Sequence, residues 1–172
     1  MPSVKIALLL CGNLSGKPYA RHGGYYDIYL RFLHESLPKG SQFVLDPYDV
    51  VHAMEYPSEN DIYDCIMLTG SAASAYENIE WVNKLVAYVA RVAESKPKTK
   101  IIGICFGHQI IARALGGECV PNGGHWECGP TPIQLTELGK QLFGAADTLN
   151  FGPIPFLWTS RPLYYALQPY PA

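Results

Sequence analysis

Residues Ile101 to Gly117 read IIGICFGHQIIARALGG, and the rest of the chain is best understood outward from them. A short β-branched run, Ile101, Ile102 and Ile104, stops at a cysteine set between glycines, and an apolar-periodic segment follows at once. The local prediction is strand, sharp turn, helix. In the pattern Gly103-x-Cys105-x-Gly107, small residues allow a nucleophile to sit on a strained turn at the end of a strand, the cysteine form of the nucleophile elbow. A helix beginning near Gly107 aims its free N–H groups and positive dipole end at the sulfur, which favours thiolate over thiol. Cys105 is therefore the candidate nucleophile. The bland alternative, an inert buried thiol, does not require glycines at these two flanking positions.

Upstream, Val4 to Leu10 is a short continuous apolar run, as expected of a central parallel strand buried on both faces. Gly12-Asn13-Leu14-Ser15-Gly16-Lys17 has the glycines and lysine of a phosphate-binding loop, but that motif needs four residues between its glycines and a hydroxyl after the lysine; here there are three, and Pro18 follows. The stretch is read as a surface loop. From Gly24 to Leu37 the residues Tyr25, Ile28, Tyr29, Phe32 and Leu33 recur at helical spacing, ended by Pro38 and Gly40. His22 and His34 lie in this loop and helix and receive no role. Gln42 to Leu45 reads as a second strand closed by a turn at Asp46-Pro47-Tyr48-Asp49, and Cys65 to Leu68 as a third. Ile79 to Ala93 carries Ile79, Val82, Leu85, Val86, Val89 and Val92 on one helical stripe. Beyond the elbow, Glu118 to Pro121 is strand-like, Thr131 to Thr136 is another strand and Glu137 to Phe143 a short helix. Alternation of this kind calls for a parallel sheet with helices on both faces. In such a sheet ligands bind outside the carboxyl ends of the strands, so the Thr69-Gly70-Ser71 turn faces the same crevice as Cys105.

Composition sets the class. The chain of 172 residues is long enough to bury a core without staples, and its formal charge of −2 without a basic cluster argues against nucleic acid or an anionic membrane as partner. A small polar metabolite suits it better. Five cysteines, odd in number and irregularly spaced, read as reduced thiols, and so as a cytoplasmic protein. The apolar run from Ile6 to Cys11 is too short for a signal-peptide core, and no stretch approaches a membrane span.

GICFGHQ followed by IARALGG resembles the active-cysteine signature of the class I glutamine amidotransferases, the triad or Cys-His-Glu type, in a stand-alone form. Trp126-Glu127-x-Gly129-Pro130-Thr131-Pro132-Ile133 resembles a structural β segment of the same family, so the resemblance runs from the first strand to about Gly144. It implies a three-layer, flavodoxin-like α/β sandwich with a mostly parallel sheet. It implies hydrolysis of glutamine to glutamate and ammonia through a thioester on Cys105, the ammonia passing to a separate acceptor or partner enzyme. It places the oxyanion hole in the turn at Gly70 and Ser71 and at the N–H of Phe106, with Gln109 shaping the glutamine pocket. Thiolate attack puts charge on the amide oxygen, and preorganised N–H donors stabilise that charge as it develops. His108 belongs to the signature without being the base. No cofactor and no metal is expected.

The base itself is the open point. His125-x-Glu127 has the spacing of the family's base and orienting carboxylate, since residues two apart on a strand share a face. The family's pair, however, comes from a later loop, many tens of residues beyond the cysteine. His125 is thus either a base in an unusual chain order or a turn histidine beside a structural strand. Cys119, His125 and Cys128 are metal-ligating residue types, but their spacing matches no common zinc pattern.

After Asn150 the family pattern stops. Residues 151–172 hold prolines at 153, 155, 162, 169 and 171 with Arg161 as their one charge, and show neither helical nor alternating periodicity. The expectation is therefore an incomplete amidotransferase-like domain over 1–150 followed by a tail that leaves the last strand's edge open or loosely covered. Two other readings stay in view: a hydrolase of another γ-glutamyl compound, and a catalytically dead, partner-binding protein.

Overall fold

The computed structural model describes residues 3–121, 131–135, 137–144, 148–151, 156–159 and 167–168. In chain order the elements are β1 (Val4–Leu10), α1 (Gly16–His22), α2 (Tyr25–Ser36), β2 (Phe43–Asp49), β3 (Cys65–Leu68), α3 (Glu80–Ser95), β4 (Lys100–Ile104), α4 (Phe106–Ala114), β5 (Thr131–Leu135), α5 (Glu137–Phe143), β6 (Thr148–Phe151), β7 (Phe156–Thr159) and β8 (Leu167–Gln168). The main sheet has the order β2-β1-β3-β4-β7, with its first four strands parallel and β7 antiparallel to β4. A second, antiparallel sheet has the order β6-β5-β8.

Strand alternation divides the core into two layers. Ile6 and Leu8 of β1 and Cys65 and Met67 of β3 project to one side, where Tyr29 and Leu33 of α2 meet them. Ala7, Leu9, Ile66 and Leu68 project to the other, against Val82, Leu85, Val89 and Val92 of α3 and Ile110 and Ile111 of α4. Helix, sheet and helix form the flavodoxin-like three-layer sandwich that the sequence implies. Each of these fully buried aliphatic side chains contributes on the order of 1.5–3 kcal/mol relative to exposure.

Four local expectations are corrected. Gly16–His22 is a short helix, not loop; Pro18 falls in its first turn, where no intrahelical N–H is needed, and none of its side chains is buried. The second strand does not stop at Leu45 but runs through Pro47 to Asp49, pairing Leu8 with Pro47 and Leu10 with Asp49. Proline is tolerated there because β2 is an edge strand. Residues 118–121 are not a strand. The tail does not leave β4 open: Phe156–Thr159 pairs with it from Ile104↔Phe156 to Ile101↔Thr159. The physical reason is that Pro155 and Pro162 bracket this segment without interrupting it, so its backbone can still form a ladder.

The core holds ionisable groups in their neutral forms. Burial pushes the Cys11 and Cys65 thiols up to about 12 and the Tyr56 phenol up to about 12, and raises the phenols of Tyr29 and Tyr88 further. These groups keep their protons in the folded chain after the unfolded chain has begun to lose them. Their contribution to stability is thus complete below about pH 9 and is lost as pH rises toward 12. We expect the thermal midpoint to be nearly flat from pH 7 to 8.5 and to fall by roughly 10 °C or more between pH 9 and 11. A flat profile through pH 11 would contradict this.

Candidate functional site

Cys105 begins where β4 ends and caps α4, with φ 54° and ψ −112°, a backbone state that costs a non-glycine residue roughly 1–3 kcal/mol. Two glycines make the turn possible. A Cβ on Gly103 would lie 2.5 Å from Gly107 O and from His108 N, and one on Gly107 would lie 2.7 Å from the Cβ and carbonyl oxygen of Leu68. The Cys105 carbonyl accepts the N–H groups of His108 (3.0 Å) and Gln109 (3.3 Å), closing the first turn of α4. The N–H groups of Phe106 and Gly107 belong to the helix start, where no carbonyl four residues back is in reach. Phe106 is 1% exposed and its ring stacks, tilted, on Trp81 with centroids 5.4 Å apart. Its side chain anchors the elbow in the core.

Across from the cysteine lies the turn after β3. Thr69 is fully buried; its hydroxyl oxygen accepts the Cys11 N–H at 2.9 Å, and its O–H donates to the Gly70 carbonyl at 3.0 Å. A Cβ on Gly70 would stand 3.8 Å from Cys105 Cβ. Ser71 Oγ accepts the Ala73 N–H at 3.1 Å, and the Arg113 guanidinium donates to the carbonyls of Ala75 and Glu77. The loop is therefore tied at one end to β1 and at the other to α4.

Cys105, Gly70 and Ser71 line one crevice of about 440 Å³ together with Ile104 and, from α2, Tyr25, Ile28, Tyr29 and Phe32. Burial raises the Tyr25 phenol, and the sulfurs of Cys105 and Cys11 push it the same way. The aromatic wall was not legible as a pocket, because Tyr25, Ile28, Tyr29 and Phe32 have the spacing of any core-facing helix stripe. Gln109 sits half-buried on α4 and does not line this crevice. His108 is held neutral by burial, with the Cys105 backbone acting the other way, and its Nδ1 has no partner among the described residues. Cys119 is half-buried, its thiol raised by burial and lowered by Arg113. His125, Glu127 and Cys128 lie outside the described residues. Among the described residues no group of three acidic, histidine or cysteine side chains gathers to hold a metal, and no helix is long and apolar enough to cross a membrane.

A strained cysteine at a strand–helix elbow facing a glycine turn is the arrangement implied by the signature in the sequence. The family model described as glutamine amidotransferase class-I matches residues 26–147. The chain belongs to this family. A glutamine amidotransferase-like protein of Schizosaccharomyces pombe is 35% identical over 129 residues, which cover 69% of this chain and 52% of that one. Gamma-glutamyl peptidase 4 of Arabidopsis thaliana is 34% identical over 99 residues, 56% of this chain and 36% of that one. The chain thus spans about half the length of the first amidotransferase-like relative and about a third of the second. A glutamine amidotransferase of Thermotoga maritima shares the fold, with a TM-score of 0.61 at 18% identity over 98% of this chain and 71% of that one.

Proposed function

We propose that this amidotransferase-family chain attacks γ-glutamyl amides, glutamine first among them, with Cys105. The observation that carries the reading is the strained Cys105 backbone opposite the Gly70-Ser71 turn in a single crevice. The Cys105 thiolate adds to the γ-carbonyl carbon, forming a C–S bond and an oxyanion. Backbone N–H groups of Phe106 and of the Gly70-Ser71 turn stabilise that oxyanion. As it collapses, the C–N bond breaks, and the nitrogen takes up a proton and leaves as ammonia. Water then cleaves the thioester, giving glutamate and the free thiol. That water needs a base, for which His125-x-Glu127 has the spacing but an unusual chain order, so without another base the chain stops at the thioester; Gln109 supports the elbow loop. The ammonia goes to a separate acceptor or partner enzyme, and the free thiols of Cys11 and Cys65 suit the reducing cytoplasm.

A second reading is favoured by the wall of Tyr25, Ile28, Tyr29 and Phe32, which offers apolar contact to a leaving group larger than ammonia. The kinship with a protein named a gamma-glutamyl peptidase supports it. Glutamine and a γ-glutamyl aromatic amide, compared as substrates of the same preparation, separate the two readings by their kcat/KM.

A diazo-ketone analogue of glutamine tests the shared step. We expect it to label Cys105 alone, since Cys11 and Cys65 are buried with thiols raised to about 12. Peptide mass mapping that finds equal labelling on Cys11 or Cys65 refutes the assignment.

A further inference from the structure

We propose that Thr69 is a positioning residue that sets the direction of an oxyanion-hole N–H, a refinement that rests on the γ-glutamyl reading above. Thr69 is the one polar side chain fully buried among the described residues, and it spends both its functions at the turn. Its oxygen accepts the Cys11 N–H (2.9 Å) at the end of β1, which fixes where the hydroxyl sits. Its proton goes to the Gly70 carbonyl (3.0 Å), which fixes the plane of the Gly70–Ser71 peptide. That peptide is trans, so the Ser71 N–H points opposite to the Gly70 carbonyl. It is directed away from the threonine hydroxyl that holds the carbonyl, and Gly70, Ser71 and Cys105 border one crevice. The backbone of the turn gains a second hold on the β1 end through the Thr69 N–H, which donates to the Leu9 carbonyl at 3.1 Å. Arg113 holds the far end of the loop through the carbonyls of Ala75 and Glu77. With both ends held, the hydroxyl sets the rotation of the Gly70–Ser71 peptide, whose glycine stands next to Cys105, a would-be Gly70 Cβ lying 3.8 Å from Cys105 Cβ. A donor aimed at the developing charge is effective because it needs no reorganisation when the charge appears, and a peptide free to rotate loses that advantage.

The test compares Thr69→Val, which keeps the shape and removes the hydroxyl, with Thr69→Ser, which restores it, in the full chain. Two probes are used. Alkylation of Cys105 by the glutamine diazo-ketone passes through a ketone oxygen that needs the hole; alkylation by iodoacetamide does not. Thr69→Val is expected to lower the maximal rate of diazo-ketone alkylation about tenfold to a hundredfold, with the half-saturating concentration changed less than about twofold. The iodoacetamide rate should stay at the parent value, and Thr69→Ser should recover most of the loss. A parent rate in Thr69→Val overturns the proposal. So does a loss shared equally by iodoacetamide, by half-saturation and by the thermal midpoint, or one that Thr69→Ser fails to restore, since these mark a merely structural threonine. If the parent chain takes iodoacetamide on Cys105 but ignores the diazo-ketone, the γ-glutamyl reading fails, and this proposal with it.

Discussion

Mixed with glutamine, the 172-residue chain is expected to acquire a single γ-glutamyl group on Cys105 and then to stall. Steady ammonia release should lie on the order of 10⁴-fold below that of a complete cysteine relay. The two halves of the reaction make different demands. Acylation needs a partly ionised thiol and preorganised N–H donors, which the elbow and the Gly70-Ser71 turn are arranged to offer. Deacylation needs a base within reach of a water. The histidines that follow Cys105 in the chain are His108 and His125. His108 is on the elbow helix, kept neutral by burial, and His125 comes only twenty residues after the cysteine. Quenching with hydroxylamine should trap about one equivalent of γ-glutamyl hydroxamate per chain. Cys105→Ala should trap none, and His125→Ala should trap as much as the parent. Sustained turnover lost in both variants would overturn this expectation and make His125 the base and Glu127 its orienting carboxylate.

Gly103→Ala, at a buried position, is expected to damage the fold more than most single changes. The added carbon would meet backbone atoms, 2.5 Å from Gly107 O and from His108 N, and no side chain there can swing aside. Overpacking against fixed backbone costs about 3 kcal/mol or more, which lowers the thermal midpoint of a chain this size by roughly 6–12 °C. Gly116→Ala is the control: nothing lies within 4 Å of its would-be Cβ, although its φ of 88° adds backbone strain of its own. A Gly103→Ala protein that melts within 2 °C of the parent, on a midpoint scale of roughly 2–4 °C per kcal/mol, would show that the elbow is looser than its geometry.

The elements that organise the site were legible because each is written twice in the sequence. β4 and α4 are marked both by an apolar run with its periodicity and by glycines at the turn, while β1, β3 and α3 are apolar enough to be buried without ambiguity. What escaped is governed by interactions that leave no periodic trace. α1 buries nothing, so it has no stripe. β2 continues through Pro47 because an edge strand can spare one N–H, a fact about neighbours and not about Pro47. β7 joins β4 through its backbone ladder, which any bracketed non-proline run can supply. In the site, Cys105, Gly70 and Ser71 could be placed together because strand ends converge in a parallel sheet. The part of Thr69 depends on a hydroxyl reaching Cys11, 58 positions away, and no local pattern encodes that.

The φ of 54° at Cys105 also bears on how such a chain ages under mutation. Glycine occupies that backbone state without strain, so a change of Cys105 to glycine would relieve the turn and delete only the thiol. Most proteins sit just above the stability they need, and a relieving substitution is readily fixed once nothing opposes it. A lineage drifting free of sulfur chemistry therefore has a downhill exit at this codon. In this chain the cysteine occupies the turn, between Gly103 and Gly107, and so keeps a strain that glycine would remove.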